Sequence, residues 1–465
     1  METDLQAQED FLLPNLLLGV APQASYVKQR RNATVHSAIA SCSPGGVTTA
    51  KWTLSSATEW MDASSVVVSF IVQNNDAAKV LKPGTVGAHC LFERCTLRAG
   101  GQVIEDMDHY GRMCEAFERC VPAEKRVVYG ALGFGQTMAM TAAAATQAGA
   151  NMTIAEAGAE RLVTPQIFSG GLGHVPKDIP ANVGGAGSKR VFMRLPLSGL
   201  MQSKKWIPLW AIAGGIEVLL TLAPAADAMV SGAPIAGAGG PFTNSMDYQL
   251  RDLRIEADFV QIDPALDEQY RQNLEEGGSL KLHLKTWDLS QQFLGQANAG
   301  NADITVQKSL SRLATIFANF APELEDADKQ AGALYCNTFL MYPQAEETLE
   351  SHVTIGARRF PDYPNKGTTE HYWRLLNALG VALSLPHSIN VDYESYKTNS
   401  FLVGADVEKA PMVMSSGENT TGGQELALHI KNFTDGAGSV PRRAFIALHH
   451  EIIVDIQIGG LSVKK

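Results

Sequence analysis

Two short segments of the sequence place an acidic residue directly before a histidine, a pairing that general acid–base catalysis uses. They are Asp108-His109-Tyr110-Gly111-Arg112 and Glu370-His371-Tyr372-Trp373-Arg374, at an offset of 262 residues (372 minus 110). Neighbouring residues on a helix point about 100° apart, and no serine or cysteine nucleophile accompanies either pair. We therefore expect a helix-start role, in which Asp108 and Glu370 lie near the positive end of a helix dipole and each tyrosine anchors its helix.

Other patterns that could bind a metal ion or a phosphate are incomplete. The six cysteines form no C-x-x-C pair and predict free buried thiols rather than a zinc site; they are Cys42, Cys90, Cys95, Cys114, Cys120 and Cys336. Cys90 and Cys95 are predicted on opposite faces of one strand. The segment Gly184–Lys189 lacks the Gly-Lys-Ser/Thr ending of a phosphate-binding loop.

The remaining polar clusters are also better explained by structure than by chemistry. His449 and His450 are predicted at the start of a strand, where their rings would face opposite sides. Glu323–Asp328 is predicted to be a solvated acidic turn rather than a calcium site. H-E-x-x-H and G-x-S-x-G motifs are absent from the sequence. The sequence therefore predicts no catalytic, cofactor-binding or metal-binding residue, no cofactor, and a structural or binding role rather than an enzyme.

Length and charge limit the classes of protein further. A chain of 465 residues predicts two domains of about 200 residues each. Its 42 glycines and 21 prolines indicate many turns and long loops. The net charge of −10, with only a small early basic cluster (Lys28, Arg30, Arg31), argues against direct nucleic-acid binding. We expect no signal peptide and no membrane span, because Met1–Asp10 is acidic and the apolar stretch around Ile207–Met229 contains Glu217, Asp227 and two prolines.

Period-two alternation of apolar residues predicts antiparallel strands with one buried face. The clearest example is Ile216–Leu222, in which Ile216, Val218, Leu220 and Leu222 share one face. The other predicted strands are Ser65–Gln73, His89–Leu97, Leu253–Phe259, Leu280–Leu284, Leu426–Ile430 and Ile452–Ile458. A helix is predicted over Asp106–Cys120. Few charged residues, many turns and these strands together indicate an all-β protein.

The acid-His-Tyr-x-Arg match extends into an internal repeat. Apolar positions at helical spacing follow both copies: Tyr110, Met113, Cys114 and Phe117 match Tyr372, Leu375, Leu376 and Leu379. The same helix face at the same place relative to flanking strands predicts a duplication that produced two tandem domains.

Several segments, taken in order, resemble one protein family. Gly100–Glu105 leading into Asp108–Arg112, Leu195–Val218, Ile355–Pro364 before Glu370–Tyr372, and Asp406–Lys409 with Ser416–Thr420 resemble double jelly-roll major capsid proteins of eukaryotic double-stranded DNA viruses, of the polinton-like virus, virophage and giant-virus lineage. The resemblance implies an all-β fold of two tandem eight-stranded antiparallel jelly rolls with short helices and long loops. The expected organisation is an N-terminal arm (1–30), a first jelly roll (31–228), a Gly/Ala-rich connection (229–245) and a second jelly roll (246–465).

The resemblance also implies partners and a location. The expected partner is the chain itself, in pseudo-hexagonal trimers that tile an icosahedral shell, together with minor capsid or penton proteins. Trimer contacts or an outer crown are expected from loops 133–160 and 225–245, with apolar residues such as Met138, Met140, Ile235 and Phe242. The arm is a candidate membrane contact. The expected location is the virion, after assembly in the host cytoplasm or nucleus.

Two alternatives stay open at this point. One is a minor or vertex capsid protein of the same lineage. The other is a β-sandwich carbohydrate-binding protein or glycosidase, which would need paired carboxylates and an aromatic platform. Aromatic residues make up only 7% of the chain and the six tryptophans are scattered, which disfavours the second alternative.

Overall fold

The computed structural model describes residues 26–120, 131–137, 175–229, 244–294, 300–321, 343, 347–382, 389, 391, 393–398, 401–410, 416–422, 424–433, 443–457 and 460–465. Within these ranges the named strands pair antiparallel throughout and form two β-sandwiches that follow one another in the chain. The predicted arm (1–30) overlaps the strand Val27–His36, which pairs with Tyr248–Ile262 in the first sandwich. Residues 1–25 of the arm, most of loops 133–160 and 225–245, Cys336 and Glu323–Asp328 lie outside the described residues.

The described residues of the first half of the chain contain twelve strands: β1 (Val27–His36), β2 (Ser41–Cys42), β3 (Thr49–Leu54), β4 (Trp60–Asn74), β5 (Phe92–Ala99), β6 (Gln102–Asp108), β7 (Gln136–Thr137), β8 (Val175–Pro176), β9 (Ser188–Met193), β10 (Trp206–Pro208), β11 (Ile216–Leu222) and β12 (Tyr248–Ile262). The second half contains β13 (Leu280–Phe293), β14 (Ala302–Val306), β15 (Leu313–Ala321), β16 (Glu350–Ile355), β17 (Arg358–Lys366), β18 (Val403–Asp406), β19 (Leu426–Lys431), β20 (Arg443–Gln457) and β21 (Gly460–Lys464). The α-helices are α1 (Tyr110–Cys120), α2 (Gly199–Gln202), α3 (Ala225–Ala228), α4 (Pro264–Glu275), α5 (Gly367–Ala378) and α6 (Tyr393–Thr398), and Ala88–Leu91 and Leu209–Ala211 are 3₁₀ turns.

The first sandwich has one sheet in the order β1-β12-β4-β10, with β2 on β12 and β9 on β4, and a second sheet in the order β3-β11-β5-β6. Its core follows the predicted alternation. Ile216, Val218, Leu220 and Leu222 of β11 are buried, whereas Glu217, Leu219 and Thr221 are half-exposed. The pleat of an antiparallel strand sends alternate side chains to opposite faces, so this pattern directs one face of β11 into the core.

The second sandwich repeats this arrangement. Its sheets run β13-β20-β15-β18, with β21 added to β20, and β14-β19-β16-β17. In chain order, β13 to β20 take the sheet positions that β1, β3, β4, β5, β6, β10, β11 and β12 take in the first sandwich. In both sandwiches a helix follows the fifth of these eight strands, as α1 follows β6 and α5 follows β17. The predicted fold of two eight-stranded antiparallel jelly rolls is therefore confirmed.

Strand pairing supports a later start of the second jelly roll than the sequence predicts. The sequence predicts that the second jelly roll begins at residue 246, but β12 pairs with β1 and β4, so it is the closing strand of the first sandwich. Helix α4 also packs back on that sandwich, since Trp60 Nε1 donates to Asp267 Oδ1 at 2.8 Å. Alternation identifies a half-buried strand but not the sheet that it joins. We therefore propose that the chain passes from the first sandwich to the second after Ile262.

The repeated acid-His-Tyr motif lies about one helical turn out of register. A residue with positive φ joins strand to helix in each sandwich, His109 (φ 53°) before α1 and Gly367 (φ 70°) at the start of α5. His109 is therefore equivalent to Gly367, whereas Glu370 is already the fourth residue of α5. An apolar helix face repeats every 3.6 residues or so, and both registers fit the same pattern. The two helices occupy equivalent places in the sandwiches, but the two acid-His-Tyr-x-Arg segments do not occupy equivalent positions on them.

Candidate functional site

The two sandwiches meet along a seam, which we define as the contact of α1, α2 and β6 with β13, β15 and β20. Aromatic rings fill its middle. The ring of Phe117 on α1 lies 4.6 Å from that of Trp287 and 5.1 Å from that of Phe317 (centroid distances), and Trp287 stacks on His449 at 4.4 Å. Aromatic pairs at such distances stabilise a contact beyond the area they bury. The seam is thus a packed core rather than a loose contact between domains.

One end of the seam contains the histidine of the first acid-His pair. The His109 ring meets the Phe445 ring edge-on at 5.3 Å, and the Arg112 guanidinium lies 3.9 Å from the centre of the same ring. Burial, and then the charge of Arg112, lower the pKa of His109 below its ordinary value. Asp108 instead pairs with Arg94, whose Nε lies 3.1 Å from Asp108 Oδ1. Asp108 is the last residue of β6 and not part of the helix, which corrects its predicted helix-start role.

The second acid-His pair has a structural role at the start of α5. Glu370 accepts a hydrogen bond from the backbone N–H of Lys366 at 2.8 Å, as a side chain at a helix N-terminus does. His371 is buried, with Nε2 2.6 Å from Ser351 Oγ and Nδ1 2.6 Å from the Gly367 carbonyl oxygen. Tyr372 donates to the Val391 carbonyl oxygen at 2.8 Å and anchors the helix as predicted. These contacts give the residues of both motifs a role in packing or in helix capping.

The other end of the seam depends on a buried carboxylate. Glu105 of β6 accepts hydrogen bonds from Ser198 Oγ at 2.6 Å and from the Leu200 N–H at 3.0 Å. Ser198 also caps α2 by accepting from the Met201 N–H at 3.0 Å. Burial raises the pKa of Glu105 above its ordinary value, and the hydrogen bonds oppose that rise. Glu105 therefore fixes the turn 198–200 that α2 presents to the second sandwich.

Each of the two strands that meet at the seam has an equivalent in the other sandwich, and both equivalents lie on the surface. At the seam, β13 of the second sandwich contacts β6 of the first. The equivalent of β13 is β1, which contacts β12 and β3 of its own sandwich and exposes residues 28–32. The equivalent of β6 is β17, an edge strand whose Tyr363 is 85% exposed. We call β1 and β17 the open faces. An exposed edge strand offers unpaired backbone groups and favours association with another chain.

The described residues contain one group of three side chains with donor atoms close enough together for a metal ion: His89, Glu115 and Glu118. His89 Nε2 lies 3.3 Å from Glu115 Oε2, and His89 Nδ1 lies 3.3 Å from Glu118 Oε1. Burial lowers the pKa of His89, but the charge of Glu118 and the hydrogen bonds that the ring donates to both carboxylates outweigh it and raise the pKa to about 10. The two nitrogens of an imidazole point in different directions, so the arrangement fits a protonated ring held between two carboxylates.

The remaining residues that the sequence singles out are distributed through the fold. Cys42, Cys90, Cys95, Cys114 and Cys120 are buried free thiols. Cys90 lies in the 3₁₀ turn Ala88–Leu91 rather than in a strand with Cys95, which corrects the prediction that they occupy opposite faces of one strand. His449 and His450 lie inside β20 and not at its start. The sequence does not predict Glu105 and Gly199 as contact residues, although the resembling segments Gly100–Glu105 and Leu195–Val218 contain them.

Comparison with known proteins identifies the class of fold. No protein-family model matches the chain, and no curated protein matches it. Among solved structures, the Faustovirus major capsid protein matches with a TM-score of 0.58 at 8% identity, over 98% of this chain and 94% of that chain. PBCV-1 VP54, fitted into a reconstruction of the virophage Sputnik, matches with a TM-score of 0.57 at 11% identity, over 97% of this chain and 100% of that chain.

A further match is the structure of the Sputnik virophage, with a TM-score of 0.53 at 10% identity, over 97% of this chain and 91% of that chain. The chain therefore has the double jelly-roll fold over nearly its whole length, as the sequence resemblance implies. Among the described helices, none combines the length and the apolar character needed to cross a bilayer.

Proposed function

We propose that this chain is the major capsid protein of a double-stranded DNA virus, and that it assembles into pseudo-hexagonal trimers that tile an icosahedral shell. The proposal is supported by the fold, which matches capsid proteins of such viruses along almost the full length of both chains. It is also supported by the structural roles of the two acid-His pairs, because both take part in packing and helix capping.

The observation that carries the proposal is the relation between the seam and the open faces. Inside one chain, β13 of one sandwich contacts β6 of the other. Their equivalents β1 and β17 are on the surface, so β1 of one copy can meet β17 of the next in the manner of the seam. A head-to-tail contact of this kind forms a closed ring when its rotation allows. Three chains would supply six similar sandwiches, which gives a pseudo-hexagonal outline.

Charge pairing makes direct genome packaging a poor fit. The early basic cluster is matched by acidic residues of its own sandwich: Lys28 pairs with Asp263 at 3.0 Å, Arg30 with Asp258 at 2.9 Å and Arg31 with Glu59 at 2.7 Å. With a net charge of −10, the chain offers little for counterion release on nucleic acid. We propose that genome binding falls to other proteins.

Further partners follow from the same proposal. Minor capsid or penton proteins would complete the shell, and the part of the arm that precedes β1, residues 1–26, would be the segment that reaches a membrane or a neighbouring subunit. The protein would be found in the virion, after assembly in the host cytoplasm or nucleus. No enzymatic activity is proposed.

Light scattering coupled to size exclusion tests the proposal on the full chain. At micromolar concentration we expect a particle of three times the 49.9 kDa chain mass, because the open faces would be buried in the trimer. A stable monomer at that concentration would overturn the proposal. A vertex protein of the same lineage would be distinguished by its low copy number in purified virions.

A further inference from the structure

Three polar residues lie in a row across the second sandwich. Asp303 of β14 is directly opposite His429 of β19, and His429 is directly opposite His352 of β16. Directly opposite residues of an antiparallel pair have Cβ atoms about 5 Å apart and on the same face. All three side chains reach solvent, and Asp303 is 79% exposed.

The geometry of this row defines which nitrogen of His429 holds a hydrogen. His429 Nδ1 lies 2.6 Å from Asp303 Oδ1, and an ionised carboxylate can only accept a hydrogen bond. In the neutral ring Nδ1 is therefore the donor and Nε2 carries the lone pair. Thr354 Oγ1 lies 3.0 Å from that Nε2 and donates to it. A carboxylate behind one nitrogen of a histidine, with the other nitrogen accepting, is the arrangement that surrounds metal-bound histidines.

The second histidine stacks on the face of the first. The rings of His352 and His429 stack with centroids 4.6 Å apart and an angle of 19° between their planes. A neutral imidazole has one nitrogen whose lone pair is available to a metal ion.

We propose that His352 and His429 form a surface site for a divalent transition-metal ion of the zinc, nickel or copper class, with Asp303 as the residue that orients His429. Imidazole nitrogen is a preferred ligand for these ions. Binding would replace the Thr354 hydroxyl at Nε2 of His429. The His352 ring would tilt out of its stack, because a nitrogen binds a metal in the plane of the ring. Water would complete the coordination of the ion.

This site does not depend on the proposed function, and it differs from the His89 cluster. In that cluster each nitrogen of one buried ring faces its own carboxylate. In the surface row two separate rings each offer one nitrogen, and we propose that both bind the same ion once the His352 ring tilts.

Calorimetric titration of the full chain with Zn²⁺ tests the site. We expect one site per chain that weakens at least tenfold in H352Q and in H429Q, because each substitution removes one of two ligands. D303N should weaken it by about tenfold or more, as loss of a partner behind a metal-bound histidine does. T354V, which removes only the competing hydroxyl, should bind at least as tightly as the wild type. H283Q is the matched control, since His283 is an exposed histidine on β13.

Electron paramagnetic resonance of bound Cu²⁺ gives a second readout that does not depend on how the variants fold. The wild type should show hyperfine coupling to two imidazole nitrogens, and each single variant should show one. The proposal is overturned if the H352Q/H429Q double variant binds Zn²⁺ as the wild type does, if H283Q removes the binding, or if wild-type Cu²⁺ spectra show no two-nitrogen site.

Discussion

Gly199 of the first sandwich lies directly against Lys285 of the second. A Cβ at Gly199 would sit 2.1 Å from the Lys285 carbonyl oxygen, which is backbone and cannot turn aside. Glu105 fixes the turn that holds Gly199 in this position, through Ser198 and Leu200. The close approach of α2 to β13 therefore requires glycine, and it connects a loop of one jelly roll to a strand of the other.

Substitution of this glycine should loosen the seam. We expect G199A to lower the free energy of unfolding by about 1–3 kcal/mol, the usual cost of forcing extra atoms into a packed contact. G45A is the matched control, since a Cβ there meets nothing within 4 Å. Urea unfolding followed by circular dichroism measures both. Equal stability of G199A and G45A would contradict this prediction, because it would show that the seam has room for a Cβ at residue 199.

The buried His89 ring between Glu115 and Glu118 predicts a dependence of stability on alkaline pH. The pKa of His89 is raised from 6.5 to about 10, so its contribution is fully present below about pH 6.5 and is lost as the pH rises through 10. H89Q should cost about 3–5 kcal/mol near neutral pH, because it leaves the buried Glu115 and the half-buried Glu118 without their cation. Unfolding of the wild type and H89Q should be compared between pH 7 and 10.

The expected result is a gap between the two proteins that narrows steadily over that range. H283Q, at an exposed histidine of β13, should show no such gap. A gap of constant size across the range would mean that the ring is neutral in the folded protein.

The open faces predict where a charge should block self-association. Tyr363 on β17 is 85% exposed in one chain, and a ring of chains would bury it against β1 of the next copy. Y363D should weaken association at least tenfold, about 1.4 kcal/mol, with the circular dichroism of the chain unchanged. V183D places the same charge on another exposed apolar residue, 68% exposed and away from both open faces in sequence. Sedimentation velocity over a range of concentrations measures the association of both variants. Equal association of Y363D and V183D would contradict the placement of Tyr363 at the contact between chains.

The burial of the described cysteines predicts that their thiols react quickly only after the protein unfolds. All five described cysteines are buried, and burial raises the pKa of Cys42 to about 11 and that of Cys90 to about 12. Thiols that are buried and protonated react slowly. At pH 8 a C336S variant should therefore show no fast-reacting thiol with Ellman's reagent in its native state, and five after denaturation. Fast labelling of the native protein would indicate that the first sandwich opens locally.

Single strands and their buried faces could be predicted from the sequence, because alternation is a local signal. The predicted segment Ser65–Gln73 lies inside β4, and Leu253–Phe259 lies inside β12. The helix predicted over Asp106–Cys120 begins only at Tyr110, since Asp106 and Asp108 still belong to β6. The left-handed His109 between them marks the end of the strand.

Relations between distant segments could not be predicted in the same way. The membership of β12 in the first sandwich depends on pairing with β1, more than 200 residues earlier, and local alternation contains no information about that partner. The repeat motif was out of register because a helix face looks the same after one turn. Glu105 and Gly199 become contact residues only when two domains meet, and the resembling segments Gly100–Glu105 and Leu195–Val218 contain them without indicating that contact.

Cryo-electron microscopy of the purified chain would show the assembly itself. We expect a particle of three chains in which six jelly rolls form a pseudo-hexagonal ring and β1 of each chain contacts β17 of the next. A monomer, a dimer, or a ring in which β1 and β17 both face solvent would contradict it.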